Sequence, residues 1–294
     1  MKNNDINLLK TLIRIPSYTL EEQLMSNFLF DFCIRKGYET TKDSIGNIYV
    51  TKGSKDIFPC VTAHMDTVFP RVPYSLEEYQ DCLYGLDAKG NQCCIGADDK
   101  VGVWICLQLL EKLKDLKAVF FVGEESFMYG SSRMNNSFFE NVGYCIAFDC
   151  PGDKIIGYTS NGVQLFDTQG EFINIFWPIL VAHGYQKMQH HPYTDIQRIK
   201  ERNDFQCVNI GAGFYNLHSK DEFVKLNKMQ NTLNASIKII TDLGNKHYKF
   251  HGINGSSYNK ISNLQTEDFF DRNTLKNIVN QKKPNNSLGV FFKN

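Results

Sequence analysis

The sequence predicts an α/β protein, a three-layer sandwich whose central sheet is largely parallel. Two observations carry that prediction. Residues 117–122 and 142–148 are apolar runs without polar alternation, the pattern of strands buried on both faces of a sheet. Segments of helical period lie around them, and strands alternating with helices favour parallel crossovers. A chain of 294 residues, 42% of them hydrophobic, is long enough to bury the core such a sandwich needs.

Apolar residues at helical spacing over 6–15 predict a first helix, stopped by Pro16-Ser17. The pattern repeats over 20–36, with Gly37 as the C-terminal cap. Short β-type runs follow at 47–51 and 58–63, separated by the turn-rich 52–56. A helix is expected over 99–114, between the runs at 58–63 and 117–122. Residues 163–184 read as helical or loop-like, and 187–191 as a solvated loop. A short helix is expected at 194–201, a strand at 207–211 and a long final helix at 221–243. Past Gly244 the composition shifts to Asn, Lys, Ser and Gly, with one helical segment at 267–280. The domain reading is therefore a single domain over 1–243 and a C-terminal appendage over 244–294.

Thirty-two Lys and Arg residues balance thirty-two Asp and Glu residues, which leaves no global charge to hold a phosphate backbone or an anionic membrane. No stretch approaches the roughly 20 apolar residues of a bilayer-spanning helix, and the polar start at Met1 to Asp5 does not resemble a secretory signal. Nucleic-acid and membrane partners are not expected. The nine cysteines are odd in number, scattered and placed in apolar runs, which suits buried free thiols in a reducing cytoplasm better than a disulfide framework.

In open α/β sheets the chemistry collects at the carboxyl ends of the strands. The run 58–63 ends in His64-Met65-Asp66, the run 117–122 in Gly123-Glu124-Glu125 and the run 142–148 in Asp149. The run 207–211 leads through a short loop to His218, and Gly96-Ala97-Asp98-Asp99-Lys100 opens a helix. Taken singly, each has an ordinary structural explanation: a buried histidine, a solvated acidic pair, a helix N-cap, a turn. Five such clusters converging on one sheet edge point to a site. Histidines and carboxylates without thiolate form a nitrogen and oxygen donor set that suits zinc, and also cobalt or manganese. So many carboxylates repel one another, and two cations sharing a bridging carboxylate would neutralise them.

Thr62-Ala63-His64-Met65-Asp66-Thr67-Val68, Gly96-Ala97-Asp98-Asp99-Lys100, Glu124-Glu125, Asp149 and Asn216-Leu217-His218-Ser219-Lys220-Asp221-Glu222-Phe223 resemble the co-catalytic zinc peptidases of the peptidase T, carboxypeptidase G and aminoacylase type. The opening helix, Leu8 through Ser17, also looks like theirs, so the resemblance covers roughly residues 5 to 243. It implies the phosphorylase/hydrolase-like fold of the zinc exopeptidases and two Zn2+ ions bridged by Asp98. His64 and Asp149 would complete one site, and Glu125 and His218 the other. Asp66 would fix the tautomer of His64 through its far nitrogen, and Glu124 would be the general base. A cis peptide is implied at Asp98-Asp99, with Asp99 and Lys100 as supporting residues.

One departure stands out. Asp149 and His218 are 69 residues apart, too close for the inserted lid or dimerisation domain of most peptidase T and aminoacylase relatives, which lends a partner-subunit residue to the oxyanion site. Tyr193-Thr194-Asp195-Ile196 resembles the Thr/Ser-Asp element of single-domain zinc aminopeptidases, which makes Tyr193 a candidate oxyanion donor and Tyr215 a competitor. The expected function is a cytoplasmic metallopeptidase, an aminopeptidase or tripeptidase acting on short peptides. The expected assembly is a monomer, with oligomers left open. The alternatives are a deacylase of N-acyl amino acids using the same site and a non-catalytic metal-binding module.

Overall fold

The computed structural model of the chain describes residues 3–252. The first predicted stripe forms α1 (Asn3–Arg14), which buries Leu9, Leu12 and Ile13. The second forms α2 (Gln23–Arg35), which buries Met25, Leu29 and Cys33. An antiparallel pair, β1 (Glu39–Lys42) and β2 (Ile48–Lys52), leads to β3 (Phe58–His64). Three strands absent from the sequence prediction follow: β4 (Ser75–Tyr79), β5 (Cys82–Leu86) and β6 (Gln92–Cys93). Helix α3 (Ala97–Lys112) leads to β7 (Leu116–Phe121) and β8 (Val142–Cys150).

Next come β9 (Ile155–Ser160), β10 (Val163–Gln164), α4 (Glu171–Ala182) and β11 (Lys187–His191). The described chain continues with α5 (Asp195–Arg202), β12 (Gln206–Gly211), β13 (Phe214–Tyr215), β14 (Phe223–Lys225) and α6 (Leu226–Leu243).

Among the described residues the main sheet runs β1-β2-β7-β3-β8-β12-β9-β10, with β11 beside β9. The four central strands β7, β3, β8 and β12 are mutually parallel, so their carboxyl ends share one edge. Flanking strands β2 and β9 run antiparallel to that set. Every residue of β3, β7, β8 and β12 is buried, which requires cover on both faces and explains why their sequences read as continuous apolar runs. Helix α3 packs on β3, β7 and β8, and α5 on β3, β8 and β12. This is the predicted α/β sandwich with a largely parallel centre.

The sequence reading differs from the structure where pairing is nonlocal. Residues 187–191, expected as a solvated loop, form a strand parallel to β9. The final helix begins at Leu226 because Phe223–Lys225 pairs with β5, joining β13, β4 and β6 in a second sheet. Beyond α6, Tyr248 is buried and its N–H donates to the Gly143 carbonyl. A Cβ at Gly143 would collide with the Lys246 carbonyl, so this close return depends on glycine. The helix expected at 267–280 lies outside the described residues. All nine cysteines are free thiols, eight of them buried.

Candidate metal centre

The parallel strands deliver the predicted residues to one edge. His64 is the last residue of β3, and Asp66 lies two residues on. Asp149 sits near the end of β8, Glu124 and Glu125 follow β7, and Asp98 opens α3. His218 arrives from the loop between β13 and β14. The peptide bond joining Asp98 and Asp99 is cis, as the resemblance implied.

The Asp98 carboxylate lies between two imidazoles. Its Oδ1 is 3.1 Å from His64 Nε2 and its Oδ2 is 3.1 Å from His218 Nε2. On the far side of His64, Asp149 Oδ1 is 3.6 Å from Nε2; on the far side of His218, Glu125 Oε1 contacts Nε2. The structure thus brings together all five predicted ligands as two sets sharing Asp98. Donor atoms of His64, Asp98 and Glu125 lie within 4.8 Å of one another, as do those of His64, Asp99 and Asp149. Two donors about 2.0–2.1 Å from a tetrahedral zinc ion are separated by about 3.3 Å, and the 3.1 and 3.6 Å gaps around His64 fit that spacing. Asp99 is committed otherwise, since its oxygens accept the His64 and Gly102 backbone N–H groups.

The electrostatics follow from crowding charge in a buried place. Against burial, which favours its neutral form, Asp98 is held well below the usual carboxylate range by His218 and His64. His218 is pushed up to about 11, because Asp98 and Glu125 outweigh the cost of burying its charge. His64 is likewise held well above its ordinary value by Asp149, Asp66 and Asp98, again against burial. Burial raises the Glu124 carboxyl well above the usual range, and the nearby Asp149, Glu125 and Asp195 add to the rise. A divalent cation would replace the protons that this arrangement otherwise draws onto its histidines and carboxylates.

A surrounding layer holds these groups in place. The His64 Nδ1 is 3.1 Å from the Asp66 carbonyl and 3.3 Å from its Oδ1. The same Asp66 carboxylate accepts the backbone N–H groups of Glu124 at 2.9 Å and Glu125 at 3.1 Å. Residues that the sequence reading gave no such role complete the layer. Glu222 accepts the N–H groups of Gly96 at 2.7 Å and Asp98 at 3.1 Å. Thr194 Oγ1 donates to Asp149, whose N–H donates to Asn209 Oδ1 at 2.9 Å. Ser131 donates to the buried Asp195. The Thr194-Asp195 pair and Glu222 stood within the quoted motifs, whereas nothing local marks Asn209 or Ser131.

Of the two oxyanion candidates, Tyr193 is exposed immediately before Thr194. The Tyr215 hydroxyl donates to Asp153 at 2.6 Å, and its ring stacks on Phe223. His191, set aside in the sequence reading, has both ring nitrogens buried without a hydrogen-bond partner. Asp149 and Asp98 act on this ring, while burial holds it below the usual histidine range.

No protein-family profile matches the chain. It is 35% identical to the [LysW]-lysine hydrolase of Deinococcus radiodurans over 89 residues, 29% of this chain and 24% of that protein. It is 28% identical to a peptidase M20 domain-containing protein of Schizosaccharomyces pombe over 178 residues, 56% of this chain and 42% of that one. The chain is thus similar over part of its length to a peptidase of the M20 type. The match spans less than half the length of either curated relative. The fold is also that of the aminopeptidase PepT of Bacillus cereus, with a TM-score of 0.69 at 14% identity over 81% of this chain and 98% of that one.

Proposed function

We propose that this chain is a metal-dependent hydrolase of short peptides acting at the free amino end. In this reading two zinc ions would be held by His64, Asp149 and Asp98 on one side and by His218, Glu125 and Asp98 on the other, with cobalt or manganese as alternatives. The observation that carries the proposal is the Asp98 carboxylate standing between the His64 and His218 rings. When bound, the cations would supply Lewis acidity and lower the pKa of a water at the site.

The chain's own groups do the rest. Glu124 accepts the proton of the attacking water and passes it to the leaving amine. Its environment suits that duty, since burial and neighbouring carboxylates raise its proton affinity. Asp66 orients His64 and fixes the backbone beneath Glu124 and Glu125. Tyr193 is the candidate donor to the oxygen that gains charge during attack, in place of a residue from an inserted lid. The free cysteines fit a reducing cytoplasm.

A second reading is a deacylase or related amidohydrolase with the same site, and the Deinococcus relative, named [LysW]-lysine hydrolase, favours it. One assay separates the two. Matched dipeptides and tripeptides with free and acylated amino ends are incubated with and without chelator. Chelator-sensitive cleavage of the free forms alone supports the peptidase, and cleavage of the acylated forms alone overturns it.

A further inference from the structure

We infer that the mouth of this site selects peptides carrying large apolar side chains, aromatic above all, beside the scissile bond; this rests on the peptidase reading above. Ten large apolar side chains are exposed among the described residues, and five of them belong to loops that bracket the candidate centre. Tyr18 pairs through its backbone with Thr67, the residue after Asp66, and Phe69 lies two positions further on. Leu20 reaches over Gly123, where an added Cβ would lie 2.9 Å from its Cδ2. Phe127 stands two residues past Glu125, and Tyr193 one residue before the Thr194 that bonds Asp149.

The presentation of two of these side chains is built into the backbone. Glu22 Oε1 accepts the N–H groups of both Leu20 and Gly123 at 2.8 Å, tying the Leu20 turn to the strand end that carries Glu124. The loop after Glu124 closes on itself: the Met128 N–H donates to the Glu124 carbonyl at 2.8 Å and the Tyr129 N–H to the Gly123 carbonyl at 2.9 Å. Within that loop Met128 is buried while Phe127 is 80% exposed. Leu20 (φ +68°) and Phe127 (φ +58°) both occupy the left-handed region, which non-glycine residues rarely adopt. A fold that holds two bulky apolar residues in this conformation and leaves them in water around a reactive centre has a use for them there. Apolar substrate side chains beside the bond to be cut would bury their surface against this rim.

The experiment is a panel of free-amino peptides X-Gly-Gly, with X as Phe, Leu, Ala, Lys or Asp, assayed with the zinc-loaded protein, its Phe127→Ser variant and its Leu20→Ser variant. The parent should show kcat/KM for Phe and Leu about tenfold or more above Lys and Asp, within the 10–200-fold that one apolar contact set supplies. In each variant the Phe-to-Ala ratio of kcat/KM should fall about tenfold. Parent cleavage of Asp and Lys peptides as fast as Phe peptides, or a variant that loses all substrates in proportion, overturns this inference and leaves the peptidase reading intact. A protein that binds zinc and cleaves no peptide overturns both. Light scattering on parent and variants completes the test: an oligomer that Phe127→Ser dissociates would assign the rim to a second copy and overturn the inference.

Discussion

Asp98 is the residue on which the proposed chemistry converges, because each of its oxygens faces a different imidazole. Asp98→Ala should therefore lose bound metal as well as activity, as read by elemental analysis of the desalted protein. Glu124→Gln is different in kind: it keeps a hydrogen-bonding side chain but cannot carry a proton. It should retain metal while kcat falls by about 10²–10⁴-fold, the usual range for a general base; a near-normal kcat would refute the assignment. Asp195 titrates out of its ordinary range, pushed up to about 8 by burial. A raised carboxyl pKa means the folded state holds the proton over a wider range than the unfolded chain. Stability from this group is present at low pH and is lost as pH rises toward 8. Metal-stripped Asp195→Asn should accordingly show a shallower loss of stability between pH 5 and 8 than the stripped parent, measured by denaturant titration.

Elements differ in how openly their sequences announce them. Strands β3, β7 and β8 were legible because they are buried along their whole length, so nothing polar interrupts the run. Strand β4, by contrast, has no fully buried residue, and β6 and β13 are two residues long, so neither burial nor length separates them from loops. The segment 187–191 carries two histidines and a glutamine, and it becomes a strand only because β9 lies alongside. The site was more readable than the fold around it, since each predicted ligand follows a legible strand or opens a legible helix. Its supports were legible only in part: Asp66 was expected beside His64, but the contacts of Thr194 and Glu222 were not foreseen. Thr194 reaches Asp149 from 45 residues away and Glu222 reaches Asp98 from 124 away, separations at which local patterning carries no signal. Glu222 nevertheless fixes the start of α3 through the Gly96 and Asp98 amides. Glu222→Ala should weaken metal affinity by about 10–100-fold, the usual cost of losing such an outer partner, with Glu222→Gln partly restoring it. Competition with a fluorescent chelator would measure both.

For the whole molecule, the centre joins three neighbouring strands, a helix and a loop, so anything that neutralises its carboxylates should stabilise the entire domain. Zinc at about a thousand times its dissociation constant adds roughly 4 kcal/mol to a fold that binds it only when native. Chelation should lower the melting temperature by several degrees, and zinc should restore it. An unchanged melting curve, measured by calorimetry, would mean that the donors do not act together.

The Asp66 carboxylate grips the amides of both glutamates while its neighbourhood steers His64. For protein engineering this sets a rule about the scaffold: inserting or deleting a residue between 122 and 125 would pull both glutamates off their shared anchor in one stroke. New activities on this framework are best sought through side-chain replacement at the outer loops, with the length of that segment left alone.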